Sequence, residues 1–464
     1  MNRFSSLTLS ADLHARLHRH LLPGDGLEAA ALLLCARAPG PRTRLLASDA
    51  ILVPHHACSR RETGFLTWPG LAIEEAIDRA EADDLAVMLL HSHPKGFFGF
   101  SGADDDSDRI TMPALFAALG PLHGTAIMVP DGAILARTYT PDSSAELVDM
   151  VSVAGVDIKY WWSDGGAQPR PVAFTSAMTQ EAGRLSVCVI GVSGTGSVVA
   201  EQLARLGFRQ VILIDFDRLE ARNLNRILNA TRAGATAQQL KVEAFAEAII
   251  AYRGPGVAVP VTASISTREA VLAASQADLL FSCVDTLEAR YFADLIAAAF
   301  LQPLFDVGVS IPTRRAGGDI AIADVCGRVD YVYPGGASLR DRGVYDPVAL
   351  RAEYLRCAAP DAHLEEVQAG YLKGINEQAP AVISLNMRAA STAVLEFIAR
   401  AYAYRLDGNA GFARTQFSLA AGEEEHLSDD AFPRFNHAVL GRGLKEPLLG
   451  LPALRLPSGP TGAP

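Results

Sequence analysis

The chain has 464 residues, 49% of them apolar and 20% charged, with a formal net charge of −11. That length predicts more than one domain, and an acidic balance without clustered Lys and Arg argues against a nucleic-acid partner, whose phosphates need basic neutralisation. The six cysteines form no CxxC pair, no stretch reaches the roughly 18 apolar residues of a membrane span, and the N-terminus lacks a signal-peptide core, so the expectation is a cytoplasmic protein with reduced thiols and no membrane partner.

From residue 5 to about 140, short apolar runs (AAALLLCA, LAVMLLHSH, GTAIMVP, AILARTY) alternate with helical segments, as in an α/β domain. Residues 141–180 are rich in Pro, Gly and Ser and read as a connector with an entry helix. The rhythm then changes. RLSVCVIGV, RQVILID, ADLLFSCVD and QPLFDVGVS read as buried strands separated by Ala-rich helices, a βαβ succession that predicts a mostly parallel sheet. The Pro/Gly-rich end, LPALRLPSGPTGAP, reads as a frayed tail. These signals give domains at 1–145 and 179–425, a linker at 146–178 and a tail at 426–464.

Within the first domain, a strand over LAVMLL delivers His91 and His93 on one face, because strand side chains alternate with period two. Two imidazoles on one face can share a metal ion, and a catalytic zinc needs a third protein ligand plus an open position for water. Asp104, returned by the intervening loop, is the candidate. The proton of the activated water needs an acceptor that is not a ligand, and Glu28, the polar head of the apolar run EAAALLL, is placed for it. A lone HxH or a lone acidic run is common and carries little weight. Here seven residues separate His93 from Ser101, and two separate Ser101 from Asp104.

That joint pattern resembles the signature of the JAMM metallopeptidases (MPN/JAB domain). The resemblance covers about 5–140. It implies Zn²⁺ on His91, His93 and Asp104, Glu28 as general acid/base and Ser101 as hydrogen-bond donor to the oxyanion. It also implies cleavage at the C-terminus of a ubiquitin-like protein. Asp105, Asp106 and Asp108 then read as helix capping and solvated surface.

In the second domain, VCVIGVSGTGSVVAEQLARLG is strand, Gly-rich turn and helix. Gly191, Gly194 and Gly196 let the backbone approach a phosphate at the helix N-terminus. Asp215 ends the next strand, where a ribose-binding carboxylate would stand, and to this point an NAD-dependent oxidoreductase fits equally well. The polar set that follows favours nucleotidyl transfer: Asp217, Asn223, Asn225 and Arg226, then Lys241, then Asp285 and Arg290 at the end of a later strand.

This set resembles the ThiF/MoeB and ubiquitin-activating enzymes, over roughly 170–425. The resemblance implies ATP and Mg²⁺ as cofactors and adenylation of the C-terminal glycine of a β-grasp protein. It places Asp215 on the ribose, Asn223, Arg226 and Lys241 on the phosphates and Asp285 on Mg²⁺. Ser193 stands where the family often has glycine, which a negative φ would tolerate. No CxxC occurs near 334–343, where the family often has zinc cysteines. The arginine that some relatives pass across a dimer is Arg170 or Arg184. Among the thiols, Cys188 and Cys283 read as core and Cys326 as strand. Cys357, beside Arg356 and before a loop, is the nominee for a thioester.

Together the expectations describe a bifunctional enzyme that cleaves at, and activates, the C-terminus of a small ubiquitin-like protein. A conjugating enzyme and a homodimer are its expected associates. Processing of a sulfur-carrier protein is the nearest alternative, and a regulatory scaffold or an NAD-dependent oxidoreductase the more distant ones.

Overall fold

The computed structural model describes residues 4–142, 144–165, 170–316, 319–358, 382–435 and 437–456. They divide into two units, one of residues 1–170 with 298–301 and 437–464, the other of 171–297 with 302–436.

The first unit begins with β1 (Ser5–Ser10) and α1 (Ala11–Leu21), whose N-cap Ser10 accepts the Leu13 N–H and whose Leu13, Leu17 and Leu21 form one buried stripe. There follow β2 (Ala30–Arg37), β3 (Thr43–Leu52), a small hairpin of β4 (Arg60–Glu62) and β5 (Phe65–Thr67), and α2 (Leu71–Asp83). The remaining elements are β6 (Ala86–Ser92), α3 (Gly102–Leu119), β7 (His123–Met128), β8 (Ile134–Tyr139), β9 (Ala145–Leu147), β10 (Met150–Ala154) and β11 (Ile158–Trp162). The nine-stranded sheet runs β11-β10-β1-β3-β2-β6-β7-β8-β9. Its central strands are apolar on both faces because both are covered. Leu33 and Met88 join the core under α1, while Leu32, Leu34, Val87 and Leu89 join the core with Ala76, Ala80, Met112 and Leu115 of α2 and α3.

Two stretches differ from the sequence expectation. Residues 150–162, read as connector, form β10 and β11, because the apolar residues of MVSVA and IKYWW outweigh the Pro, Gly and Ser around them. The chain end expected to fray also belongs to this unit up to Leu456. The Leu444 N–H bonds the Arg37 carbonyl, Lys445 pairs with Asp83, and Leu448, Leu449 and Leu454 are buried. Residues 457–464 lie outside the described residues.

In the second unit, α4 (Ser176–Ala182) leads into β12 (Ser186–Ile190), α5 (Gly194–Arg205), β13 (Gln210–Ile214), α6 (Arg232–Thr236), α7 (Lys241–Arg253), β14 (Ala258–Val261), α8 (Arg268–Ala274) and β15 (Leu279–Ser282). Then come α9 (Leu287–Ala299), β16 (Leu304–Ser310), β17 (Thr313–Ala316), β18 (Asp319–Ile322), β19 (Cys326–Val332), α10 (Pro347–Ala358), α11 (Ile383–Ala401), β20 (Arg414–Ser418) and β21 (Glu423–Leu427). The eight-stranded sheet runs β14-β13-β12-β15-β16-β19-β20-β21. Its first five strands are parallel, as expected, and its last three are antiparallel additions. The order reverses between β12 and β15. Open α/β sheets bind ligands at such a switch point, outside the C-terminal ends of the strands.

Candidate active sites

In the first unit β6 ends at Ser92, so His91 and the residue just past the strand, His93, leave the sheet on one side. Ser92 is buried between them and tied to the strand before, donating its backbone N–H to the Ala29 carbonyl and accepting the Ala29 N–H at Oγ. Asp104 arrives at the third position of α3. Its helix starts at Ser101, whose Oγ accepts the Asp104 N–H at 3.3 Å while the Asp104 carboxylate accepts the Ser101 N–H at 2.6 Å. One capping box therefore fixes both residues.

The three candidate ligands converge. His91 Nε2 lies 3.0 Å from His93 Nε2 and 3.1 Å from Asp104 Oδ1, and His93 Nε2 lies 3.7 Å from Asp104 Oδ2. Ligands about 2.0–2.1 Å from a tetrahedral zinc sit about 3.3 Å apart, so the set fits that ion with one position open. The second ring nitrogen supports the fit. His93 Nδ1 is 2.8 Å from the Phe97 carbonyl, which can only accept, so Nδ1 carries the proton and Nε2 offers its lone pair to the cluster. Among the described residues this is the only group of three or more His, Cys, Asp or Glu arranged to hold a metal. Burial alone would raise the Asp104 carboxyl, but the hydrogen bond and charge of His91 and the Ser101 N–H hold it far below the usual carboxylate range. Burial, and then the charge of His91, lowers the pKa of His93.

Glu28 is only 8% exposed and sits in the turn before β2. Its backbone is gripped from both sides by the β4 strand: its N–H bonds the Glu62 carbonyl at 2.9 Å and its carbonyl accepts Arg61 Nε at 2.8 Å. No hydrogen bond holds its carboxylate among the described residues. Burial raises its pKa, with the charge of Asp104 adding and that of His91 opposing. Sequence reading missed Arg61 as the clamp. Ser101 Oγ accepts the Asp104 N–H, and its hydroxyl also donates to the Asp104 carboxylate.

The other aspartates divide. Asp106 is exposed and pairs with Arg109, as expected of a solvated helix face. Asp105 is partly exposed but reaches Arg137 at 2.6 Å. Asp108 overturns the expectation of a surface role. It is 6% exposed and takes hydrogen bonds from Arg137, Thr125 and Tyr139, so it anchors α3 to β7 and β8. Arg137, a lone cation in an apolar strand, was the available signal.

The second site forms at the switch point. Gly191, at φ +85°, ends β12, and Gly196 in α5 lies so close beneath it that a Cβ there would stand 1.7 Å from the Gly191 carbonyl oxygen. Ser193 has φ −105°, which any residue adopts, and no side chain caps the helix that follows, so its first N–H groups remain available to an anion. Asp215 is buried and organises the loop. Its carboxylate accepts the Val192 and Asp217 N–H groups at 2.8 Å each, and burial raises its pKa against the opposing charge of Lys241. Lys241 pairs with Asp217 at 2.6 Å.

The remaining predicted residues are placed unequally. Arg226 lies over the Gly-rich turn, its Cδ 3.4 Å from where a Gly194 Cβ would be. Asn223 is buried and its Oδ1 accepts the Glu220 N–H, so a local turn occupies its oxygen. Asn225 and Asp285 are exposed, the latter on the loop that touches Gly191 through Cys283 and Val284. Arg290 is no phosphate ligand in this arrangement. It is buried on Asp306 and on the Val284 and Val307 carbonyls, bracing the Asp285 loop from behind. Asn386, which sequence reading missed, reaches in from α11 to Thr195 and abuts Gly194. Arg170 is bonded to the Tyr160 carbonyl and stacked on that ring. The thiol of Cys357 and residues 359–381 lie outside the described residues, although Cys357 falls within α10.

A model described as the ThiF family matches residues 169–405, about half of the chain. The chain belongs to the ThiF family. A second model, of prokaryotic homologs of the JAB domain, matches residues 10–134, so a JAB-like domain precedes the ThiF domain. Curated relatives of the ThiF part include the ubiquitin-like modifier-activating enzyme 5 of Caenorhabditis briggsae and of Caenorhabditis elegans. Each is 34% identical over 163 residues, 32% of this chain, and 34% and 35% of the respective relative. The chain thus spans about a third of the length of these relatives. Among solved structures, E. coli MccB with ATP aligns over 54% of this chain and 65% of its own at 14% identity, with a TM-score of 0.41. Among the described residues no helix is long and apolar enough to cross a membrane.

Proposed function

We propose that this ThiF-family protein is a bifunctional enzyme acting on the C-terminus of a small β-grasp ubiquitin-like protein. The ThiF domain adenylates the terminal glycine with MgATP, and the JAB-like domain is a zinc isopeptidase that cleaves after that glycine. The observation that carries the peptidase half is the convergence of His91, His93 and Asp104 beside a buried Glu28 whose carboxylate is uncommitted. What carries the adenylating half is the uncapped α5 N-terminus at the switch point, with Asp215, Lys241, Arg226 and Asp285 around it.

In the first site, zinc held by His91, His93 and Asp104 would supply Lewis acidity for the attacking water and the scissile carbonyl. Glu28 takes the proton of that water, for which a raised pKa suits it, and returns it to the departing amine. Ser101 donates its hydroxyl proton to the developing oxyanion, turning it from the Asp104 carboxylate. In the second site, the N–H groups of the Gly-rich turn, Arg226 and Lys241 hold the phosphates in line with the incoming carboxylate. Asp215 holds the ribose, and Asp285, an exposed carboxylate at a strand end, is suited to Mg²⁺. The attack breaks the bond between the α- and β-phosphates of ATP, forming an acyl-adenylate and releasing pyrophosphate.

The reading places the protein in the cytoplasm, within a prokaryotic-type modification pathway, with a homodimer and a conjugating enzyme as associates. Cys357 is its candidate thioester residue. Sulfur-carrier processing uses the same chemistry up to the adenylate and differs only in what receives the acyl group. The test is capture from host extract on the Glu28→Ala variant with MgATP, read by intact mass. A small protein ending in glycine and bearing one AMP moiety is the expected product. Zinc-loaded, ATP-binding protein that captures no such species refutes the shared substrate.

A further inference from the structure

The central strands β12 and β15 of the second unit lead into α5 and α9, and these two helices start differently. No side chain caps α5. The start of α9 is closed. The loop from β15 runs through the exposed Asp285 to Thr286, whose carbonyl accepts the Arg290 N–H and whose Oγ1 accepts the Ala289 N–H, both at 3.3 Å. The two remaining N–H groups of that turn, of Leu287 and Glu288, go to one carboxylate 66 and 65 residues further on. Glu353 of α10 accepts them at 3.1 Å and 2.9 Å.

A helix with a threonine cap often carries its own acid three residues later, and here that position is Ala289. Glu353 supplies the missing charge from outside. It is 8% exposed, and a buried carboxylate needs compensation, which the two N–H groups and the positive end of α9 provide, with Arg356 a more distant charge at 3.9 Å. The consequence falls on Asp285. It stands two and three residues before those same N–H groups, the spacing at which an aspartate bonds its own backbone. With Glu353 on them, the Asp285 carboxylate accepts no hydrogen bond among the described residues. Arg290 holds the loop from the other side, through the Val284 carbonyl at 2.6 Å.

We propose that Glu353 is a positioning residue of the adenylating site. By occupying the start of α9 it denies Asp285 a local partner, so that this carboxylate stays free for Mg²⁺ carried by the nucleotide. It also shuts the α9 N-terminus to anions and leaves the uncapped start of α5 as the seat of the phosphates. The proposal rests on the adenylation reading, which gives Asp285 its role. Without Glu353, Asp285 must give up a charge-assisted hydrogen bond to reach the metal. That weakens nucleotide binding in Mg²⁺ about tenfold and leaves binding without Mg²⁺ unchanged.

The test measures binding of a fluorescent, non-hydrolysable ATP analogue to the full chain by anisotropy, once in EDTA and once in MgCl₂. Asp346 caps α10 by accepting the Val348 and Ala349 N–H groups at 2.8 Å each, so that helix does not need Glu353 to start. Glu353→Ala should bind about tenfold more weakly in MgCl₂ and equally in EDTA. The isosteric Glu353→Gln, whose amide oxygen keeps one of the two bonds, should lose about threefold, and it decides the matter if the alanine variant does not fold. In an Asp285→Ala background neither substitution should weaken binding further, because Glu353 acts through Asp285. Equal losses in both media, unchanged affinity in a folded variant, or losses that add to that of Asp285→Ala would each overturn the proposal. If Asp285→Ala removes the gain from Mg²⁺ while the Glu353 variants keep it, only the positioning role falls. If the native chain binds the analogue in neither medium, the adenylation reading falls with it.

Discussion

Replacing Arg137 with Met tests whether the buried Asp108 network positions the proposed zinc ligands. In the native unit Arg137 reaches Asp105 at 2.6 Å and Asp108 at 2.7 Å, and donates to Thr125 at 3.1 Å. Arg137→Met leaves the Asp108 carboxylate buried with only the Thr125 and Tyr139 hydroxyls. Stranding one partner of a buried ion pair costs about 3–5 kcal/mol. With a urea slope of about 2 kcal/mol per M, the unfolding midpoint should drop by roughly 1.5–2.5 M. The chain provides its own probe, because its three tryptophans, Trp68, Trp161 and Trp162, all lie in the first unit, so their fluorescence follows that unit alone. Since Asp104 and Asp108 share α3, zinc retention on dialysis should fall as well. The second variant, Arg137→Met/Asp108→Leu, removes both charges and should recover most of the midpoint, since apolar replacement of a whole buried pair is often near neutral. A single variant that loses less than about 1 kcal/mol, or a double variant no better than the single, would refute the reasoning.

Three further outcomes are expected. Glu28→Gln should lower peptidase turnover by about 10²–10⁴-fold with zinc content unchanged, and zinc loss would instead make Glu28 a ligand or a structural residue. Asp285→Ala should reduce ATP–pyrophosphate exchange by about 100-fold or more while the circular dichroism spectrum is kept, and unchanged exchange would remove Asp285 from the Mg²⁺ site. Buried His123 accepts the Val87 N–H, and burial lowers its pKa from 6.5 to about 4. The unfolded chain therefore binds the proton first, so this contribution is complete above pH 6.5 and is lost as pH falls towards 4. Between pH 8 and 5 the loss is about 2 kcal/mol, read by urea titration on the tryptophan signal and flattened in His123→Gln.

What the sequence discloses is local or periodic. The strands β2, β6, β7 and β8 are evident because their apolar runs are uninterrupted, and the spacing of His91, His93, Ser101 and Asp104 is legible because one strand end and one capping box carry all four. What it conceals depends on partners far along the chain. Asp108 looks like one more acid in a solvated run until Arg137, 29 residues on, is packed over it. Asn386 meets Thr195 across 191 residues, and nothing near either announces the other. Arg290 fails for the same reason. A cation at a strand end suggests a phosphate, but Asp306, on the neighbouring strand, takes it first.

Hydrolysis after a terminal glycine and adenylation of that glycine meet at one carboxylate, the product of the first reaction and the substrate of the second. An acyl-adenylate left to water would return the same carboxylate at the cost of ATP, so the proposed pathway needs a nucleophile that intercepts it. The described thiols of the second unit are poor candidates. Burial pushes Cys188 and Cys283 far above the usual thiol range, and Cys326, although it lines a cavity beside Asp285, is pushed up by burial and by Asp324 to about 11. At neutral pH a thiol of that pKa is a thiolate in only about one molecule in 10⁴, too few to compete by ionisation alone. In the proposed pathway the candidates for the intercepting group are Cys357 and a nucleophile brought by another molecule, a conjugating enzyme in the first reading and a sulfur donor in the second. The adenylating chemistry is common to both readings, and the receiver is what separates them.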